Sequence, residues 1–91
     1  MENTFLFDIV QRQRHSGVTL TKDVPINVTA DEQNEYDKNA HKVWAFLEER
    51  WEHIGYVDRA NAAFLAKFEI KLHTARVVGP RVASVVVRIE A

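Results

Sequence analysis

Four histidines, at 15, 41, 53 and 73, and thirteen carboxylates are the side chains best suited to hold a metal ion or to move a proton. His41 follows Asp37 by four residues, and His53 follows Glu49 by four, a spacing that brings two ligands to one face of a helix. Neither pair gains a third ligand at helical spacing. Glu48 and Glu52 are acids of the same surface, so the pattern reads as a solvated charged face and implies no metal. His15 falls at a turn, and His73 alternates outward on a strand, so neither has a converging partner. Ser16 and Ser84 lack the glycine-flanked elbow that exposes a nucleophile. The three glycines, at 17, 55 and 79, stand too far apart to cradle a phosphate. There is no cysteine, which excludes disulfides, thiolate metal sites and thiol nucleophiles. The residues therefore point to a protein that is not an enzyme and takes no cofactor.

Recognition surfaces are better represented. The segment FLFDIVQRQRH, residues 5–15, changes from apolar to donor-rich at its midpoint. Its second half reads as a hairpin tip that outruns the core, with Arg12, Arg14 and His15 offered to a partner. Arg76, Arg81 and Arg88 lie on a second hairpin, and guanidinium groups suit bidentate contact with phosphates or carboxylates. Net charge is −1, unlike that of a wholly electrostatic nucleic-acid binder. Single-strand recognition also needs exposed aromatic platforms, whereas Phe5 and Phe7 alternate toward the core. Residues 30–53 hold seven acids and three bases, so one part of the molecule is acidic and the rest mildly basic. The acidic face, with Phe46 beside Glu49 and His53, suits docking on a basic protein surface. These features together describe a small non-catalytic interaction protein binding another protein, of a type common among viral and phage accessory proteins. Its partner-binding residues are Arg12, Arg14, His15, Phe46, Glu49 and His53. The alternative is nucleic-acid binding through the arginines of the two hairpins.

The elements that must position these groups come from periodicity. A first strand covers Thr4–Arg14, and Ser16-Gly17 supplies a turn. Val18, Leu20, Val24, Ile26 and Val28 share one face of a second strand, kinked at Pro25. Thr29-Ala30-Asp31-Glu32 matches a helix capping box. Tyr36, Ala40, Val43, Trp44, Leu47, Trp51 and Ile54 then form a helical stripe, so a long amphipathic helix is predicted to end near His53. Residues 58–66 fit either a short helix capped by Asp58 or a lead into a strand. Phe68, Ile70 and Leu72 alternate, Gly79-Pro80 turns, and Val82–Ile89 is a final strand.

The predicted fold is a single α+β domain over residues 1–91: two antiparallel hairpins in a ββαββ order, with the helix across one sheet face. The other face needs a cover, and a second copy of the chain is the simplest one, giving a homodimer. No apolar run approaches the ~18 residues of a membrane span, and the N-terminus does not resemble a secretion signal, so a cytoplasmic protein is expected.

Overall fold

The computed structural model describes residues 2–10, 20–68, 72–79 and 81–88. The elements are β1 (Glu2–Val10), β2 (Pro25–Ala30), β3 (His41–Leu47), β4 (Arg50–Val57), α1 (Arg59–Leu65), β5 (Leu72–Gly79) and β6 (Val82–Arg88). All strand pairs are antiparallel and close into a barrel in the order β1-β4-β3-β2-β5-β6. This overturns the ββαββ sheet. Residues 30–53, which the periodicity assigns to a long helix, are the last residue of β2, a loop, β3 and the first half of β4.

The physical reason lies in the run HKVWAFL. Valine, tryptophan and phenylalanine favour a pleated, half-buried surface. As a strand, the run buries His41, Val43 and Ala45 and turns Lys42, Trp44 and Phe46 outward. A helical stripe uses only some of those residues, whereas the strand gives each a face. The capping box dissolves as well. Thr29 lies in β2, and its hydroxyl accepts a hydrogen bond from Trp44 Nε1 at 2.9 Å.

Closure removes the reason for expecting a dimer. A barrel turns one face of every strand onto a common interior, so a sheet face no longer waits for a second copy. Phe7 and Ile9 of β1, Ile26 and Val28 of β2, and Val43 and Ala45 of β3 meet Ile54, Val57, Ala75, Val77, Ala83 and Val85 there. The short helix adds Ala62 and Leu65 to the same core. Asp58 caps this helix by accepting from Asn61 N. It also accepts from Asp8 N at 2.8 Å, while Asp58 N donates to Asp8 O at 2.9 Å, which ties the helix start to β1. Among the described residues no helix is long and apolar enough to cross a membrane.

Two details of the β3–β4 hairpin shape its outer surface. Leu47 pairs with Arg50, so Glu48 and Glu49 are the two central residues of the turn, with φ of 51° and 68°. Positive φ at both positions matches the twist of the strands, but it strains residues that carry a Cβ. Glu49→Gly is expected to raise stability by about 1 kcal/mol, a rise of roughly 4–8 °C in Tm for a domain of this size. A thermal melt checks this, and an unchanged midpoint would contradict the turn geometry.

The second detail is a register shift. Trp44 pairs with His53, but Val43 pairs with Gly55, so Ile54 is an extra residue on β4. The bulge resets the alternation. Trp51, His53 and Tyr56 all pair with outward residues of β3, although strict period two would turn Tyr56 inward.

Candidate nucleic-acid interface

Between β2 and β3 the chain runs through DEQNEYDKNA, residues 31–40, a polar run rich in Asp and Asn. Such side chains hydrogen-bond nearby backbone and so favour compact turns over helix. The loop is closed at its base by Asp31 N donating to Ala40 O at 2.8 Å. Asn34 organises its centre. Its Oδ1 accepts from Tyr36 N and from Asp37 N, each at 2.9 Å, and its Nδ2 donates to Asp31 Oδ2 at 3.3 Å. Asp37 Oδ1 then accepts from Asn39 N at 2.9 Å, and Ala40 N donates to Asp37 O at 3.1 Å. His41 Nδ1 donates to Asn39 O at 2.7 Å, so the loop is anchored to the first residue of β3. The backbone is held by its own side chains, and Tyr36 is left 92% exposed.

This loop forms one wall of a cleft of about 490 Å³ lined by Val10, Asn34, Tyr36, Asp37, Ala40, Tyr56, Val57 and Arg59. The ends of β1 and β4, paired through Val10↔Tyr56, and the start of α1 form the rest. Its size falls within the range of small-ligand pockets. Its chemistry is mixed: two phenol rings, one guanidinium, one carboxylate and one carboxamide. Aromatic faces take up planar bases, Arg59 can pair with a phosphate, and the Asp37 carboxylate can accept from amino or hydroxyl groups.

From the cleft an aromatic face continues along the outside of β3–β4. The His53 ring meets Tyr56 edge-on at 5.0 Å and Trp44 at 5.3 Å. Lys42 Nζ stands 6.0 Å from the Trp44 ring centroid. Nearer the turn, Phe46 and Trp51 pair at 5.3 Å, and both are about two-fifths exposed.

The residues singled out from sequence are distributed differently. Arg12, Arg14 and His15 lie outside the described residues. Phe46, Glu49 and His53 do not share a helix face. Phe46 is on the outer side of β3, Glu49 is in the turn, and His53 packs between Trp44 and Tyr56 with Nε2 donating to Gly55 O at 2.9 Å. The pairs Asp37/His41 and Glu49/His53 therefore do not stand one helical turn apart. His73, expected on the surface, is 5% exposed and faces the barrel interior beside His41, with ring centroids 6.5 Å apart. The sequence reading does not bring together Asn34, Tyr36, Asp37, Tyr56 and Arg59, which line the cleft. The available signal is the Asx-rich run itself, with Asp31, Asn34 and Asp37 three apart, which reads as a loop once the helix is given up.

No curated protein and no solved structure matches the chain. Residues 3–89 match the profile of the HIRAN domain, a DNA-binding domain. That finding overturns the protein-binding accessory and leaves the homodimer unsupported, and it favours the nucleic-acid alternative. The match spans nearly the whole chain, and the chain belongs to the HIRAN domain family.

Proposed function

We propose that this domain is a non-catalytic module that binds single-stranded DNA, taking unstacked bases into the cleft between the 31–40 loop and the end of β4. The observation that carries this reading is Tyr36. A large aromatic side chain is presented to solvent by a loop whose turns are fixed by internal hydrogen bonds. Core packing gives no reason for it, and a stacking platform does.

The geometry favours a single strand over a duplex. Direct readout of a duplex is made chiefly by a helix or a two-stranded ribbon laid in the major groove. The seven-residue α1 instead commits Ala62 and Leu65 to the core. The cleft admits bases only when they are free of their partners. The charge balance agrees with stacking as the main source of affinity. With a net charge of −1 the chain lacks the basic excess of a binder that works chiefly through phosphates.

Fluorescence anisotropy with a labelled single-stranded oligonucleotide tests the proposal. Binding is expected, with blunt duplex of the same sequence bound at least about tenfold more weakly. The dependence of log K on log salt should be shallow, about −0.7 for each phosphate contacted. Arg59→Ala should reduce the slope by roughly that amount for one lost contact. Equal affinity for duplex and single strand, or none for either, would overturn the reading.

A further inference from the structure

We infer that the aromatic face of β3–β4 is a second stretch of the same DNA path, which leaves the cleft at Tyr56 and ends at Trp44. This rests on the single-strand reading of the cleft and adds its direction and its end. Tyr56 joins the two surfaces, because it lines the cleft and also touches His53 on the outer face. The β4 bulge is what makes this possible, since it brings Tyr56 to the same side as His53. Tyr56, His53 and Trp44 then form an unbroken chain of ring contacts along one surface.

The rings are held in place before any ligand arrives. Trp44 is fixed at its edge by the bond from Nε1 to Thr29 Oγ1, and His53 by its bond to Gly55 O. Holding aromatic faces in advance lowers the ordering cost of stacking. Lys42 places an ammonium group beside Trp44, where a phosphate flanking a stacked base would lie.

Charge also sets where the path stops. Beyond Trp44 the exposed pair Phe46–Trp51 is bordered by the turn acids Glu48 and Glu49. Phosphates are repelled there, so this second aromatic pair lies off the path despite its exposure. The cleft and its extension together accommodate roughly four nucleotides, the low end for single-strand-binding barrels.

The test uses oligothymidylates of about two, four and eight nucleotides and the fluorescence of the two tryptophans. In Trp51→Phe the remaining emission comes from Trp44. It should be quenched by the four- and eight-nucleotide strands and little affected by the shortest one, with affinity unchanged by the substitution. Trp44→Leu should reduce affinity for the four- and eight-nucleotide strands by about tenfold and leave that for the shortest unchanged. If Trp44→Leu fails to fold, the quenching pattern in Trp51→Phe still decides. Binding of all lengths with equal affinity and no Trp44 quenching would overturn the extension while leaving the cleft intact. A larger loss on changing Trp51 than Trp44 would also overturn it. No binding at any length would remove the single-strand reading itself.

Discussion

Tyr36→Ala is expected to weaken single-stranded DNA binding by about tenfold to a hundredfold, the range for losing one base–aromatic stack. Its thermal midpoint should stay within a few degrees of the unsubstituted chain. The two halves of this expectation have separate causes. The side chain is 92% exposed, so its removal empties no core space, and surface changes of this kind stay within about 0.5 kcal/mol. The structural contribution of residue 36 is its backbone N–H, which donates to Asn34 Oδ1 and survives the substitution. Tyr36→Phe keeps the ring and should retain most of the affinity. Titration of both variants with the same oligonucleotide, beside a melt of each, checks the expectation. Tyr36→Ala with full affinity would separate the exposed ring from DNA binding.

Asn34→Ala should fail in both respects. One carboxamide accepts from two backbone N–H groups and donates to Asp31. Removing it leaves those groups to water or to nothing, at a cost of about 1–3 kcal/mol where they are partly buried. For a domain of this size that is a fall of roughly 4–8 °C in Tm for each kcal/mol. Affinity should fall with it, because the turn that presents Tyr36 and Asp37 is no longer fixed. Asn34→Asp distinguishes loss of acceptor from loss of donor. It keeps an oxygen for both N–H groups but sets a third carboxylate beside Asp31 and Asp37. An intermediate loss, partly relieved by salt, is the expected result. Calorimetry and anisotropy on both variants provide the measurements. An Asn34→Ala chain as stable as the parent would mean that the 31–40 loop is not held by the bonds described.

The contrast between Tyr36 and Trp44 shows how far the sequence can be read. Their spacing, with that of their apolar neighbours, sums to one helical stripe. In the folded chain Tyr36 is on a loop, and Trp44 is on a strand facing out of a barrel. Periodicity cannot separate a helix from a loop followed by a strand when the apolar run is short. The deciding signal is chemical: Asp31, Asn34, Asp37 and Asn39 are poor in helix interiors, and Val43, Trp44 and Phe46 are good in strands. Elsewhere local pattern is enough. Ile26 and Val28 alternate inward on β2, Val82 begins the last strand, and Asp58 caps a helix, one of the two readings that the sequence leaves open for 58–66.

Closure of the barrel is not legible, since it depends on the pairing of β1 with β4, which joins Ile9 to the distant Val57. Without closure, apolar residues on β1 and β6 suggest a missing second copy. The site is hidden in the same way. Tyr56 reaches the outer aromatic face only because of a one-residue bulge at Ile54, and nothing in the sequence around Gly55 announces which strand residue is the extra one.

Occupation of the cleft between the 31–40 loop and the β4–α1 junction by single-stranded DNA is the central claim. Backbone amide chemical shifts, recorded by NMR during titration with a short single-stranded oligonucleotide, test it most directly. The largest changes are predicted on Asn34 to Ala40 and on Tyr56 to Arg59, with β5 and β6 little affected. Changes centred instead on Arg76, Val78 and Arg81, with the 31–40 loop silent, would contradict it.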